Sequence, residues 1–247
     1  TYTDDIKQSA SATRRRVFVV EVQGGHSGFI ASFTGLITGA VSVYTPEDKI
    51  TLSTIKEDLA LLKENFSHDK GENRNGKLAI RNEQASSVYS TQLLADIISE
   101  ASKGKFGVRT AIPGHVQQGG IPSSKDRVVA SRFAVKCIRF IEQWNSKNKT
   151  TEEDGNVDSK VLRFNYDAHG VKVPTVDHED DSAAVICVNG SNVSFKPIAS
   201  LWEHETNVEL RKGEEVHWKE FSRVGDILSG RLKLRAEVES SKSSSKA

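Results

Sequence analysis

Two glycine-containing segments carry the residues best suited to bind a ligand. The first is QGGHSG, residues 23–28, which follows the apolar run VFVVEV. The second is PGHVQQGG, residues 113–120, which follows VRTAI. A glycine loop between a strand and a helix exposes backbone N–H groups that suit an anion or a hydroxyl-rich ligand. The alternative interpretation is a tight turn that needs glycine only for its backbone angles.

Three basic residues and one carboxylate form a set suited to a phosphorylated sugar. Arg16 precedes VFVVEV, Arg109 interrupts VRTAI and His115 lies in the second glycine segment. Arginine and histidine bind phosphate, and the carboxylate of Glu83 accepts hydroxyl groups. For His115 the alternative is a structural histidine bonded to the backbone. For Arg109, which we expect to be buried, the alternative is an ion pair with Glu21 or Glu83.

No motif in the sequence indicates hydrolytic or nucleotide-binding chemistry. The motifs GxSxG, HExxH and GxxxxGK[ST] are all absent. The run HEDD at 178–181 contains metal-binding residue types, but its polar surroundings favour a solvated acidic run. We therefore predict no catalytic residue and no metal site in this chain.

Strand-like and helix-like segments alternate along the sequence. The strand-like segments are almost continuously apolar, as in strands buried on both faces, and the helix-like segments repeat apolar residues every three to four positions. This alternation is typical of an α/β domain with a mostly parallel sheet. The predicted strands cover 17–22, 41–44, 78–80, 106–112 and 183–188, and the predicted helices cover 1–8, 29–40, 54–66, 90–101, 124–144, 198–204 and 215–237.

The carboxyl ends of parallel strands should gather the candidate residues. Ligands of open α/β sheets bind at those ends. QGGHSG, PGHVQQGG and the tripeptide RNE at 81–83 each follow a predicted strand. Ser53 and the pair Ser123-Ser124 are expected to cap the two helices that they precede or open.

Composition restricts the cellular setting. Lys and Arg total 34 and Asp and Glu total 33, so the net charge of +1 gives no overall field to attract nucleic acid or an anionic membrane. No apolar stretch is long enough to span a bilayer. Two cysteines predict no disulfide framework and favour a reducing, cytoplasmic compartment. Methionine is absent and the chain starts at Thr1, so we expect a processed start or a piece of a longer protein.

The segments RRRVFVVEVQGGHSGFIA and PGHVQQGGIPSSKDR resemble ATP-dependent 6-phosphofructokinases. The resemblance continues through LAIRNE and SFKPIASLWEHETNVELRKG and covers nearly the whole chain. It is to the eukaryotic, fungal type, whose subunits have a catalytic amino-terminal half and a regulatory carboxy-terminal half. It implies a three-layer α/β fold with a mostly parallel sheet, incomplete at its N-terminal side.

Two positions distinguish the halves. Gly25 and Gln118 stand where catalytic halves of this family carry arginines that hold the substrate phosphate. The resemblance therefore implies a regulatory half that binds the activator fructose 2,6-bisphosphate and has no kinase activity alone. The alternatives are a half with a working sugar-phosphate kinase site and a purely structural oligomerisation half.

The resemblance also implies an effector pocket. Arginine and histidine side chains would contact phosphate, and the glycine loop and a carboxylate would take sugar hydroxyls. Arg16 and Arg109 would reach into the site of a neighbouring half. The implied pocket residues are Arg16, Gln23, Gly24, Gly25, Glu83, Arg109, His115, Val116, Gln117, Gln118 and Arg211.

The resemblance implies cofactors and partners for the full enzyme. That enzyme would transfer the γ-phosphate of MgATP to the 1-hydroxyl of fructose 6-phosphate in glycolysis, with ATP and Mg²⁺ bound outside this chain and none bound by it. Its partners would be fructose 2,6-bisphosphate, the catalytic half and other subunits in a hetero- or homo-oligomer, with no nucleic acid and no membrane.

We expect four segments. Residues 1–145 would form the α/β sugar-phosphate-binding part, and residues 146–182 a polar insertion. Residues 183–239 would complete the half with a strand and helices, and residues 240–247 would be a disordered tail.

Overall fold

The computed structural model describes residues 2–13, 15–67, 76–153, 183–189, 192–207, 209, 212–213 and 215–232. Most of the predicted insertion and all of the predicted tail lie outside these residues. The chain divides into two compact units, one of residues 1–120 and 216–247 and a second of residues 121–215.

The first unit contains a four-stranded, fully parallel sheet. Its strands lie in the order β2-β3-β1-β4, and helices connect each strand to the next in the chain. This confirms the predicted α/β class with a parallel sheet. The elements are α1 (Tyr2–Ala12), β1 (Arg16–Val22), α2 (Phe29–Thr38), β2 (Ser42–Tyr44), α3 (Leu52–Ser67), β3 (Lys77–Asn82), α4 (Thr91–Ser102), β4 (Gly107–Ala111), a 3₁₀ helix (Gly114–Gln118) and α7 (Lys219–Ser229).

Alternating side chains of the central strands form two apolar cores, one on each face of the sheet. On one face, Val17 and Val19 pack with the apolar sides of α3 and α4, represented by Leu62 and Leu94. On the other face, residues such as Val20 pack with α1 and α2. Because both faces are covered, the unit has the three layers that the resemblance implies.

A buried arginine fixes the carboxy-terminal helix α7 to the rest of this unit. Arg231 follows α7 and donates from Nε and Nη2 to the two oxygens of Asp58 in α3, at 2.6 and 2.8 Å. Tyr44 donates its hydroxyl to Asp58 Oδ2 at 2.7 Å. Arg231 is 5% exposed and Asp58 is 1% exposed. Burial, and then the Asp58 charge, raise the pKa of Tyr44 well above its usual value.

The second unit combines a long helix with two antiparallel strand pairs. Its helix α5 continues through residue 153, although a helix ending at 144 and a polar insertion from 146 were expected. The sequence contains no glycine or proline from 124 to 154, so nothing in it stops the helix earlier. The elements are α5 (Ser124–Glu153), β5 (Ala184–Asn189), β6 (Asn192–Pro197), α6 (Ile198–Ser200), a π-helical segment (Leu201–Glu205), β7 (Thr206–Asn207) and β8 (Lys212–Gly213).

Two helix boundaries differ from the predictions because of local backbone chemistry. Thr51, rather than Ser53, caps α3, since its Oγ1 accepts the Thr54 N–H at 3.1 Å.

The last helix starts at Lys219 rather than 215, and Gly230 follows its end with φ +83°. A glycine in this left-handed conformation is a common helix terminator. Residues 233–237 of the predicted helix lie outside the described residues.

The predicted cap of α5 is confirmed and is reciprocal. Ser123 Oγ accepts the Asp126 N–H at 3.2 Å, while Asp126 Oδ2 accepts the Ser123 N–H at 2.9 Å. The hydroxyl of Ser123 also donates to Asp126 Oδ2 at 2.7 Å. The hydrogen bonds from Ser123 lower the pKa of Asp126.

We expect Ser123→Ala to loosen the first turn of α5 by about 1 kcal/mol, since a capping acceptor is lost. Hydrogen exchange in the full-length protein should show the amides of residues 125–128 exchanging about fivefold faster. Ser124→Ala is the matched control, because that side chain is exposed and the capping hydrogen bonds are made by Ser123. Equal exchange in the two variants would show that the cap does not stabilise α5.

Candidate functional site

The first glycine segment forms a tight loop between β1 and α2. Gly24 and Gly25 have φ values of +152° and +54°. A Cβ atom on Gly24 would lie 2.7 Å from Asn82 Nδ2 and 2.7 Å from the carbonyl oxygen of Ser27. Asn82 Nδ2 donates to that same carbonyl at 2.9 Å. Position 24 therefore requires glycine for both its backbone angle and its space.

The amides of this loop bind a carboxylate of the same chain. Gly24 N–H and Gly25 N–H both donate to Glu83 Oε1, at 3.2 and 2.9 Å. Glu83 N–H donates to the Val22 carbonyl at 3.0 Å, which anchors the carboxylate to the end of β1. An external anion would reach these two amides only if Glu83 moved away. The loop is thus arranged to hold a carboxylate at the edge of the sheet.

A hydrogen bond of Gln117 joins the second glycine segment to the first. Gln117 Oε1 accepts the Gln23 N–H at 3.2 Å, and its Nε2 donates to the Gly114 carbonyl at 3.2 Å. In the same 3₁₀ helix, His115, Val116 and Gln118 are all exposed. Hydrogen bonds therefore join five predicted residues, and the 3₁₀ helix presents three more beside them. The joined residues are Gln23, Gly24, Gly25, Glu83 and Gln117.

A buried arginine that was not among the predicted site residues lies next to this loop. Arg81, in β3, is 3% exposed and donates from Nη1 to Glu21 Oε2 at 3.0 Å. Burial lowers the pKa of Arg81, while Glu21 acts in the opposite direction. Arg81 ends the apolar run LAI, the kind of pattern that drew attention to Arg109. A charged residue that directly follows an apolar run is therefore a sequence signal for this arginine.

Arg109 is exposed, so the expectation that it is buried is wrong. Val108 is buried in one core, whereas Gly107 and Arg109, on the opposite face of this outer strand, are exposed, and on that face only Ala111 at the end of the strand is buried. The Arg109 guanidinium donates to the Val108 carbonyl at 3.3 Å. The proposed ion pair with Glu21 or Glu83 does not form. Glu21 instead pairs with Arg81, and Glu83 accepts the glycine amides.

Arg16 and Arg109 lie together, away from the glycine loop of their own chain. The parallel register pairs Arg16 with Gly107 and Phe18 with Arg109. The two arginines therefore share one face of the sheet, one diagonal step apart. Phe18 and Arg16 precede Gln23 by five and seven residues, about 16 and 23 Å of extended strand. Arg211 lies outside the described residues.

The described residues contain no group of three or more His, Cys, Asp or Glu side chains that could hold a metal ion. The acidic run at 178–181 is not among them. No helix in the described part of the chain is long and apolar enough to cross a membrane. Cys137 and Cys187 are both free thiols.

Comparison with known proteins gives consistent matches along the chain. The phosphofructokinase family model matches residues 1–141. The chain is 84% identical over 237 residues to the ATP-dependent 6-phosphofructokinase subunit alpha of Saccharomyces cerevisiae, covering 96% of this chain and 24% of the relative. It is 72% identical over 238 residues to the subunit alpha of Kluyveromyces lactis, with the same coverage of 96% and 24%.

The fold is also similar to a solved structure of phosphofructokinase from Saccharomyces cerevisiae. The TM-score is 0.79 at 76% identity, and the match covers 94% of this chain and 27% of that chain. The chain spans about a quarter of the length of the curated relatives it matches. Because the family model covers more than half of the chain and the fold agrees, the chain belongs to the phosphofructokinase family.

Proposed function

We propose that this chain is an effector-binding part of an ATP-dependent 6-phosphofructokinase and that it binds fructose 2,6-bisphosphate. The site would lie at the carboxyl edge of the sheet, where the glycine loop, Glu83 and the 3₁₀ helix meet. Glu83 and the loop would contact sugar hydroxyls, and His115 would contact a phosphate. The names of the relatives support the link to ATP-dependent 6-phosphofructokinase, and the motif resemblance supports the effector assignment.

The observation that carries the proposal is the absence of a lysine or arginine among the five residues joined at this site. Gly25 and Gln118 stand where catalytic halves of the family have arginine. A kinase site without both cations would hold a substrate phosphate poorly. Arg16 and Arg109, exposed or half-buried together on the far part of their strands, are suited to supply those cations to the site of a second copy or half.

The activity of the whole protein follows as a proposal from the same resemblance. The full enzyme would transfer the γ-phosphate of ATP to fructose 6-phosphate, using Mg²⁺, and would do so with residues outside this chain. The relatives are named subunits, which supports an oligomer of phosphofructokinase subunits. We propose a cytoplasmic location, as for glycolytic kinases of this family.

Replacing Arg109 with alanine in the full-length protein tests the effector assignment. Loss of a charge-assisted contact should cost about 1.5–3 kcal/mol and weaken fructose 2,6-bisphosphate activation about 10- to 150-fold. The measurement is the activator concentration that gives half-maximal stimulation. Arg223→Ala, which removes an exposed charge on α7, is the matched control and should leave that concentration unchanged.

The other two assignments give different results in the same titration. A working kinase site predicts unchanged activation with a reduced maximal rate in Arg109→Ala. A purely structural half predicts that neither quantity changes. Either result would contradict the proposed effector function.

A further inference from the structure

Arg81 makes more hydrogen bonds than an ordinary buried ion pair requires. Its Nη1 donates to Glu21 Oε2 at 3.0 Å and to the Glu83 carbonyl at 3.1 Å. Its Nε donates to the Tyr89 carbonyl at 2.9 Å, and its Nη2 donates to the Ser86 carbonyl at 2.9 Å. All three guanidinium nitrogens are therefore engaged, and three of the acceptors are backbone carbonyls in one turn, residues 83–89.

These carbonyls lie in the turn that starts with Glu83. A turn of irregular backbone has no ladder of hydrogen bonds to fix its shape, so a buried donor with several acceptors takes that role. The planar guanidinium fixes the directions of its N–H groups, which restricts where the three carbonyls lie. The position of the Glu83 backbone is thereby tied to a side chain of a residue that is 3% exposed.

Arg81 is also linked to the other side of the glycine loop. Glu21, its charge partner, is the next-to-last residue of β1, and Gln23 begins the loop. Thr91, the first residue of α4, donates its hydroxyl to the same Glu21 oxygen. Arg81 therefore joins the strand that enters the glycine loop to the turn that supplies the Glu83 carboxylate.

We propose that Arg81 is a positioning residue for the effector site, which holds the Glu83 carboxylate against the Gly24 and Gly25 amides without touching the ligand. The inference rests on the proposed function, because the ligand is taken to be fructose 2,6-bisphosphate. If this is so, the arrangement of the Glu83 carboxylate that would bind sugar hydroxyls depends on the buried guanidinium of Arg81 as well as on Glu83 itself.

Arg81→Lys is the sharpest test in the full-length protein. Lysine keeps the positive charge for Glu21 but cannot present a rigid fork to three separate carbonyls. We expect the half-activating concentration of fructose 2,6-bisphosphate to rise at least about tenfold. The maximal rate without activator should change less than about twofold, since Arg81 touches no substrate in this assignment.

Arg231→Lys is the matched control for general destabilisation. Arg231 is only 5% exposed, so it is about as buried as Arg81. Its guanidinium also donates two hydrogen bonds, in this case to Asp58. Both variants should lower the melting temperature, but only Arg81→Lys should weaken activation. Equal weakening of activation in the two variants would show that Arg81 acts only through overall stability and would overturn the inference.

A double substitution tests whether Arg81 acts through Glu83. If it does, Arg81→Lys should change the half-activating concentration less than about twofold in a Glu83→Gln background. Fully additive effects would overturn the inference. If Arg81→Lys does not assemble, Arg81→Gln replaces it, because glutamine keeps an N–H donor but cannot reach three separate carbonyls. An unchanged half-activating concentration in Arg81→Gln would then overturn the inference.

The outcomes separate this inference from the proposed function. A wild-type protein that does not respond to fructose 2,6-bisphosphate would contradict the proposed function, and the inference with it. A normal wild-type response with an unchanged half-activating concentration in Arg81→Lys would contradict the inference alone.

Discussion

Replacing Arg231 with alanine is expected to destabilise the unit of residues 1–120 and 216–247 by about 3–5 kcal/mol. Asp58 would still accept the hydrogen bond from the Tyr44 hydroxyl, but it would lose both hydrogen bonds from the guanidinium. Its carboxylate would remain almost fully buried. An uncompensated buried carboxylate costs far more than the net contribution of the intact pair. The main structural effect should be release of α7, which Arg231 connects to α3.

Hydrogen exchange of the α7 amides in the full-length protein measures this effect. At about 1.4 kcal/mol per tenfold change, these amides should exchange at least about a hundredfold faster in Arg231→Ala. The double variant Arg231→Met with Asp58→Leu is the control, since removing both charges avoids the buried unpaired group. Slow α7 exchange in Arg231→Ala would show that the pair does not hold this helix.

Replacing Gly24 with alanine is expected to displace the glycine loop and weaken fructose 2,6-bisphosphate activation about 5- to 150-fold, as strain of about 1–3 kcal/mol enters the loop. The new methyl group would lie 2.7 Å from the Ser27 carbonyl oxygen and from Asn82 Nδ2. Relief of those clashes breaks the Asn82 bond to Ser27 and moves the Gly24 and Gly25 amides off Glu83. The measurement is the half-activating concentration of the full-length protein.

Gly119→Ala in the second glycine segment is the control for this prediction. Gly119 has φ −94°, and a Cβ there would have the Val116 carbonyl oxygen at an ordinary 3.8 Å. That variant should therefore behave as the wild type does. Normal activation in Gly24→Ala would show that the loop geometry is not needed for effector binding.

The strands and most helices could be predicted because their signals are local. Runs such as VFVVEV, and the apolar spacing of α3 and α4, depend only on neighbouring residues. The cap of α3 was misplaced by two residues, since Thr51 and Ser53 have the same chemistry and only the backbone decides between them. The full extent of α5 was missed because polar residues were interpreted as a loop when nothing stopped the helix.

Strand order explains why Arg109, which was expected to be buried, is exposed, while Arg81 is the buried arginine. Arg109 lies inside a predicted strand, whereas Arg81 directly follows one, at the end of the apolar run LAI. The order β2-β3-β1-β4 places β3 inside the sheet and β4 at its end, so Arg81 is buried and Arg109 is exposed. Local sequence does not specify strand order, because the order depends on which helices pack on which face.

The candidate site was predicted in its parts but not in its internal contacts. The motif positions identified both glycine segments and Glu83. The hydrogen bonds that join them span 58 to 94 residues along the chain, as between Gly25 and Glu83 and between Gln23 and Gln117. Such long-range pairs form only when the sheet brings strand ends together. The Arg231–Asp58 pair, 173 residues apart, was missed for the same reason.

The different burial of the arginines also determines how the protein responds to ionic strength. Dissolved ions screen exposed charges over about 8 Å at physiological salt, but they do not enter a packed interior. The guanidinium groups of Arg81 and Arg231, with side chains 4% and 6% exposed, are therefore shielded from salt, whereas that of Arg109 is not. Raising the salt concentration should therefore screen the exposed charge of Arg109 while leaving the buried ion pairs of Arg81 and Arg231 nearly unchanged.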